Sequence, residues 1–356
     1  MTGKIAPIAD SLQTELARAL QRQAKALGVL TAPEPMLGPT PRDLVVQRGT
    51  LALYHYRPCA DEIYRVPLLI VAALTNRGSV FDLAPGHSFV QHLLERGYDV
   101  YMVDWNAPRP DEQRLRLEDY VFDFLPEALR RVQEISGEAE VNVLGYCMGG
   151  LLVTLHAALH PDGPMKQLAL IATPVDFHEM TLFRHWTDAR HFDLDRLVDT
   201  TGNVPPEVIY GAFDLLRPAT GPAAKLQLWD KLWDDAFVEG HRRLDRWSRD
   251  VLPLPGALFR QLVQDLFREN RLACGELLVG GRRVDLRAIQ RPVLHALAAH
   301  DHIVPHGASQ PLVAAIGSRR KQEIVLKGGH ASLVAGGNAV KRLWPALDAW
   351  LAKGST

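Results

Sequence analysis

Short apolar stretches alternate with amphipathic ones through most of the chain. Residues 51–56 alternate with a period of two, which is typical of a half-buried strand, whereas residues 68–74 are continuously apolar, like a central parallel strand. Further strands are predicted at 98–103, 141–144, 167–172, 292–298 and 323–327. Helical periodicity lies between them, and this βαβ alternation predicts a mostly parallel, doubly wound sheet.

The helices predicted between these strands have recognisable ends. Segment 88–96 stops at Gly97 and segment 117–135 stops at Gly137, and glycine is the preferred residue just past a helix C-terminus. Two further helices are predicted at 149–159 and 339–351.

Two regions depart from this alternation. Residues 9–28 predict a leading helix with one apolar stripe, formed by Leu12, Leu16, Leu20 and Ala24, and a proline-rich connector follows. Residues 177–290 have helical spacing and no clear parallel strand. We therefore expect an N-terminal helix and connector (1–36), a core built from 37–176 and 291–356, and a helical cap (177–290). Such a cap would lie over the carboxyl ends of the strands, where ligands bind in sheets of this kind.

Charge and composition narrow the class of protein. The 356 residues carry 40 Lys and Arg against 41 Asp and Glu, a net charge of -1, which argues against nucleic-acid binding through phosphate neutralisation. The three cysteines are too few for a disulfide framework. We find no secretory signal, and the longest apolar run, residues 66–74, is too short for a membrane span. These features predict a soluble cytoplasmic protein.

The segment Gly145-Tyr146-Cys147-Met148-Gly149-Gly150 follows an apolar strand and opens an apolar helix. This is the strand–turn–helix context of a nucleophile elbow, with cysteine in the place of the usual serine. The helix N-terminus beside Cys147 carries partial positive charge, which favours a thiolate. The alternative is that Cys147 is only a small buried hydrophobe at a tight glycine turn.

An elbow of this type takes an acid and then a histidine from later loops of the same sheet. Asp301 follows the predicted strand 292–298, and His330 follows the strand 323–327 after two glycines. His330 would take the thiol proton, and Asp301 would fix the tautomer of the imidazole. The competing interpretations are an ordinary loop histidine and an aspartate that forms a turn at a strand end.

Two backbone N–H groups are candidates for an oxyanion hole. The residue after the nucleophile, Met148, supplies the first, and the loop after the early central strand supplies the second, near Asn76. His302 is a candidate accessory residue because it adjoins Asp301. No metal-ligand spacing, phosphate loop or dinucleotide fingerprint occurs, so we expect neither a metal nor a cofactor.

With these residues in view, the chain resembles the polyhydroxyalkanoate synthases, specifically the short catalytic subunits of class III and class IV. The similarity extends from about residue 37 to the end and is weakest in the middle helical region. The segments that carry it are 38–46, 67–76, 88–105, 145–150, 173–177, 301–305 and 328–330. The sequence departs from the family pattern at Gly78-Ser79-Val80, where a tyrosine is usual, and after His330, where Ala331-Ser332 stands.

The resemblance implies an α/β-hydrolase fold with Cys147, Asp301 and His330 as its catalytic triad. It also implies polymerisation of (R)-3-hydroxyacyl-CoA with release of CoA, through an acyl-enzyme on Cys147. The implied partners are the substrate, the growing polyester at a granule surface and a second synthase subunit, and a homodimer is left open.

Two other functions compete with this one. The first is a cysteine hydrolase of the same fold, such as an intracellular polyester depolymerase or a thioesterase, and water at the acyl-enzyme makes the difference. The second is a non-catalytic granule-binding protein, against which the complete set of Cys147, Asp301 and His330 argues.

Overall fold

The structure is a computed structural model that describes residues 5–356, without the side chains of residues 5–12, 30 and 220. Its strands are β1 (Arg42–Arg48), β2 (Leu51–Tyr56), β3 (Leu68–Val71), β4 (Val100–Trp105), β5 (Val141–Tyr146), β6 (Met165–Ile171), β7 (Asn203–Val204), β8 (Leu254–Pro255), β9 (Leu278–Val279), β10 (Arg282–Arg283), β11 (Val293–Ala298) and β12 (Lys321–Leu326).

Its helices are α1 (Ile5–Thr31), α2 (Phe89–Leu94), α3 (Leu117–Asp119), α4 (Leu125–Ser136), α5 (Met148–Leu159), α6 (Thr181–Trp186), α7 (Leu194–Thr201), α8 (Pro206–Leu215), α9 (Thr220–Asp230), α10 (Asp235–Arg249), α11 (Gly256–Gln261), α12 (His306–Ser309), α13 (Pro311–Ala315), α14 (Ser332–Ala335) and α15 (Trp344–Ser355). Three π-helical turns cover Tyr120–Phe124, Leu262–Arg268 and Ala339–Leu343.

The main sheet has the strand order β1-β2-β4-β3-β5-β6-β11-β12. Every pair from β4 to β12 in this order is parallel, whereas β2 pairs antiparallel with both β1 and β4. The parallel strands β3, β4, β5 and β11 are completely buried, in keeping with their mainly apolar sequences, whereas the edge strand β12 is mostly exposed. The mostly parallel sheet predicted from the sequence is therefore confirmed.

Two strand predictions need correction. Residues 42–48 were not expected to form a strand, but they pair with β2 at the sheet edge. Their side chains are half-buried or exposed, so an edge strand of this kind lacks the apolar pattern that marks a buried one. The predicted strand 68–74 leaves the ladder after Val71, although residues 72–74 stay buried.

The helix predicted over 117–135 is present in three parts. Between α3 and α4 the chain makes a π-helical turn, and Pro126 occupies the first turn of α4. Proline is tolerated in the first turn of a helix, because the N–H that it lacks would have no partner within the helix at that position. The helix ends at Gly137, whose φ of 74° is left-handed, as the sequence predicted.

The helices of residues 177–290 contact the loops that follow the carboxyl ends of β3 and β6. Trp247 of α10 donates its indole N–H to the carbonyl of Arg77 at 2.8 Å, and Leu252 N donates to Thr75 O at 2.8 Å. Asn270 donates its side-chain N–H to Asp176 Oδ1, in the loop after β6, at 2.8 Å. The division of the chain into core and cap stays a prediction.

The leading helix turns three of its leucines to solvent. Three leucines on one face of α1 are each more than half exposed, namely Leu16, Leu20 and Leu27. The opposite face contacts the start of α10 and the segment before it: Lys25 pairs with Asp235 at 2.6 Å, and Arg18 lies 4.4 Å from the ring centre of Trp233. The side chain of Leu12 lies outside the described residues. Within residues 5–356, no helix combines the length and apolar character needed to cross a membrane.

One polar side chain lies in the centre of the sheet. His295 in β11 is fully buried between Leu170 of β6 and Glu323 of β12, and neither ring nitrogen has a hydrogen-bond partner among the described residues. Burial, assisted by His306, lowers the pKa of His295 to about 3. The imidazole is therefore neutral in the folded protein, whereas the unfolded chain binds a proton near pH 6.5.

We expect His295→Leu to stabilise the protein at pH 7.5, because it removes an unpartnered polar group that costs about 1–3 kcal/mol to bury. The wild-type protein loses stability as the pH falls from 6.5 toward 3, since only its unfolded state takes up the proton. The advantage of the variant should therefore grow by about 2 kcal/mol between pH 7.5 and pH 5. Urea unfolding at the two pH values measures it, and an advantage independent of pH would contradict the assignment.

Candidate active site

Cys147 lies between β5 and α5 in a strained backbone conformation. Its φ of 53° and ψ of -121° are rare for a residue with a side chain. Hydrogen bonds to the sheet and the helix stabilise this conformation: Cys147 N donates to Ile171 O at 2.9 Å, and Leu151 N donates to Cys147 O at 3.0 Å. The turn is thus a nucleophile elbow in its geometry as well as in its sequence.

Glycines allow α5 to pack directly on the strands. A Cβ atom at Gly149 would lie 2.3 Å from the carbonyl oxygens of both Val71 and Ala72. A Cβ at Gly145 would lie 2.6 Å from the Cα of Gly150. The turn that exposes Cys147 at the helix N-terminus therefore has no room for side chains at these positions.

Asp301 and His330 meet beside this turn, as the sequence predicted they would if they form one site. His330 Nδ1 donates to Asp301 Oδ2 at 2.6 Å. The other carboxylate oxygen, Asp301 Oδ1, accepts from the backbone N–H groups of Ile303 and Val304, both at 2.9 Å. The carboxylate is therefore fixed by three donors and presents one oxygen to the imidazole.

The loops that carry the acid and the base are joined to each other. His300 N donates to Gly328 O at 3.0 Å, so the turn after β11 is hydrogen-bonded to the turn after β12. Gly328 has a φ of 145°, which an L side chain rarely adopts. Ser332 Oγ accepts from Gly329 N at 2.8 Å and fixes the residue before His330.

The same imidazole interacts with the thiol of Cys147. Burial by itself lowers the pKa of His330, but the Asp301 carboxylate and the Cys147 sulfur outweigh it and raise this pKa to about 10. All three groups are at most 8% exposed. The arrangement favours an imidazolium beside the Cys147 sulfur in a site with little water.

The two candidate oxyanion donors occupy different environments. Met148 is the first residue of α5, where a backbone N–H has no partner within the helix. Asn76 pairs through an isolated bridge with Val251, which follows α10. Both stay predictions, because the direction of their N–H groups toward a substrate oxygen is not fixed by these contacts.

His302 follows the acid in the chain, yet no hydrogen bond joins its ring to the Asp301 carboxylate. It is half-buried, and burial lowers its pKa even though the Asp301 carboxylate raises it. Its Nδ1 is buried without a hydrogen-bond partner among the described residues. An accessory role for His302 stays a prediction. The other two thiols, Cys59 and Cys274, are exposed.

Sequence reasoning missed two kinds of residue around this site. Tyr146 lies with its ring centre 5.0 Å from that of His330, and its position directly before Cys147 was the signal that could have found it. Trp247 and Val251 contact the loop that contains Asn76, although they are distant from it in the sequence. No local sequence pattern predicts such contacts.

Comparisons with known proteins identify the family. Residues 66–336 match the alpha/beta hydrolase fold, and residues 34–93 match the N-terminus of poly-beta-hydroxybutyrate polymerase (PhaC). The poly(3-hydroxyalkanoate) polymerase subunit PhaC of Allochromatium vinosum is 36% identical over 318 residues, which cover 88% of this chain and 89% of that protein. The chain belongs to the poly(3-hydroxyalkanoate) polymerase family.

Other members of this polymerase family show the same extent of similarity. The subunit from Thiocystis violacea is 34% identical and matches 88% of both chains. The subunit from Haloferax mediterranei is also 34% identical over 91% of this chain, which spans 66% of that longer protein. The family resemblance predicted from the sequence is confirmed.

Solved structures confirm the α/β-hydrolase fold of this polymerase family member. The protein BpoC of Mycobacterium tuberculosis H37Rv superposes with a TM-score of 0.52, at 18% identity, over 88% of this chain and 98% of BpoC. A lipase-esterase related protein of Clostridium acetobutylicum has a TM-score of 0.50 at 14% identity, over 84% of this chain and 99% of its own. At such identities the likeness concerns the fold.

We expect Gly149→Ala to destabilise the protein by about 3 kcal/mol, because its Cβ would overlap two backbone oxygens that cannot move without disturbing β3. The matched control is Gly240→Ala in α10, where a Cβ meets nothing within 4 Å and alanine should stabilise by about 0.5–1 kcal/mol. Thermal and urea unfolding measure both. Equal behaviour of the two variants would show that the elbow does not depend on this close packing.

Proposed function

We propose that this protein is an acyltransferase that polymerises (R)-3-hydroxyacyl-CoA into polyhydroxyalkanoate with release of CoA. The observation that carries the proposal is the buried group of Cys147, His330 and Asp301 at a nucleophile elbow, in a chain of the polymerase family. The relatives carry the name of polymerase subunits, which favours polymerisation over the hydrolase alternative.

The first half of the reaction forms an acyl-enzyme. The Cys147 thiolate attacks the thioester carbonyl, and the oxyanion that develops would accept from the N–H groups of Met148 and Asn76. The bond between the carbonyl carbon and the CoA sulfur then breaks. CoA leaves as a thiol, with the proton that His330 had held.

The second half extends the chain. His330, held in one tautomer by Asp301, removes the proton from the 3-hydroxyl of a hydroxyacyl unit, and that oxygen attacks another acyl thioester. When the acyl group is on Cys147, the ester bond forms as the thioester bond breaks, the sulfur leaves as the Cys147 thiolate, and the proton from the hydroxyl stays on His330. Each such transfer adds the acyl group to the hydroxyl end and restores the pair for the next acylation. A cysteine thioester suits this exchange because it transfers its acyl group readily to an oxygen nucleophile.

The burial of the nucleophile supports synthesis over hydrolysis. Cys147 is 7% exposed and His330 is 5% exposed, so little water reaches the place where an acyl-enzyme would form. Trp247 and Leu252 fasten the helical region to the loop of Asn76, which supports its proposed role as a cap (177–290) on a core of residues 37–176 and 291–356.

The partners follow from the same proposal. We infer a second synthase subunit and a place at the surface of polyester granules in the cytoplasm, and a homodimer is left open. The exposed leucines of α1 form an apolar strip that a subunit or a granule could cover, because the charged face of α1 already contacts α10. We expect no cofactor in the reaction.

The decisive assay incubates the protein with (R)-3-hydroxybutyryl-CoA, with and without a candidate second subunit, and follows CoA and polymer together. We expect polymer to accumulate as CoA is released. Release of CoA with only the free hydroxy acid as product would assign the hydrolase function instead.

Replacing the nucleophile tests its role. We expect Cys147→Ala to lower CoA release by about 10⁴-fold or more, because the acyl group has no acceptor on the enzyme. Cys274→Ala serves as the matched control, since this thiol is exposed and outside the elbow, and it should keep wild-type rates. Comparable loss in both variants would remove Cys147 from the mechanism.

Asp301→Asn separates the two halves of the reaction. The amide no longer fixes the imidazole tautomer, so we expect elongation to fall by about 10²–10⁴-fold while a single acylation is less affected. Single-turnover CoA release and polymer yield measure the two steps. Equal losses in both would contradict this division between Asp301 and the rest of the site.

A further inference from the structure

Tyr146 is the last residue of β5 and directly precedes the nucleophile. Its side chain is 2% exposed, and its ring centre lies 5.0 Å from that of His330 with an angle of 32° between the planes. Phe81 packs edge-on against the same ring at 5.8 Å and 84°. The tyrosine ring therefore contacts the imidazole while Phe81 supports the tyrosine.

The other contacts of the imidazole lie at the edge of its ring. Hydrogen bonds join His330 to Asp301 and to Cys147, and a ring held only at its nitrogens can still rotate its faces about the line between them. A neighbouring aromatic face limits this rotation, and it also attracts a positive charge that lies within about 6 Å of its centre. The titratable groups that interact with His330 are Asp301, Cys147 and His302.

The hydroxyl of Tyr146 does not account for the residue's place in the site. It is buried and has no hydrogen-bond partner among the described residues, and burial raises its pKa well above the usual value. An unpartnered buried hydroxyl opposes folding. The favourable contribution of Tyr146 therefore comes from its ring.

We propose that Tyr146 is a positioning residue for the catalytic histidine: its ring packs against His330, holds the imidazole on Asp301 and favours the protonated imidazole beside the Cys147 thiolate. This inference rests on the proposed function for the role of the three groups. It adds a residue that acts through His330 and does not itself react.

The experiment follows the thiolate directly, so that it does not depend on polymer formation. In a background with Cys59→Ser and Cys274→Ser, Cys147 is the remaining thiol of the three in the sequence, and ultraviolet thiolate absorbance against pH reports its ionisation. The variants are Tyr146→Phe, which keeps the ring, and Tyr146→Leu, which removes it. Tyr120→Leu is the control, because this buried tyrosine packs against Trp105 and Phe124 away from the imidazole.

We expect Tyr146→Leu to move the midpoint of thiolate formation upward by about one pH unit, a tenfold loss of thiolate below the midpoint. Its kcat for CoA release should fall by a similar factor with little change in KM. Tyr146→Phe and Tyr120→Leu should keep the wild-type midpoint, although the latter lowers stability.

Three results would overturn the inference. A wild-type midpoint in Tyr146→Leu would show that the ring does not act on His330. An equal shift in Tyr146→Phe would assign the effect to the hydroxyl, and an equal shift in Tyr120→Leu would reduce it to general destabilisation. Absence of polymer with the unaltered protein would instead refute the proposed function and leave the thiolate measurement valid.

Discussion

The direct packing of helix α5 on the sheet governs the geometry of this protein's site. Gly149 packs so close to the end of β3 that the carbonyl oxygens of Val71 and Ala72 lie where a side chain would be, and Gly145 packs against Gly150 in the same way. The chain enters α5 through Cys147, whose φ is positive at 53°. The surrounding sheet and helix keep Cys147 in this strained conformation. The position of its sulfur at the helix N-terminus is therefore set by the backbone.

The rest of the site is assembled around that fixed point from separate parts of the chain. Asp301 comes from the loop after β11 and His330 from the loop after β12, and a backbone hydrogen bond joins the two loops. The helical region reaches back to the loop after β3 through Trp247 and Leu252. The loop that carries Asn76 is therefore held by contacts with this helical region.

Burial affects both the protonation of His330 and the access of water to this site. In a dry environment a lone imidazolium is unfavourable, and the Asp301 carboxylate together with the Cys147 sulfur reverses that preference. The same dryness would protect an acyl-enzyme from water. Tyr146 belongs to this balance, because an aromatic ring can contact the imidazole without bringing a competing hydrogen bond.

The parallel sheet, the elbow and the three residues of the candidate triad can be predicted from the sequence alone. These features are local: an apolar strand, a glycine turn, and an acid and a histidine that each follow a strand, so that parallel topology brings their loops to one edge. The residues that pack against them are known only from the folded structure. Edge strand β1, the contact of Tyr146 with His330 and the bridge from Val251 to Asn76 depend on residues that meet across the fold. In α1 the charged face makes the contacts with the rest of the protein and three leucines face outward, which the amphipathic pattern alone does not predict.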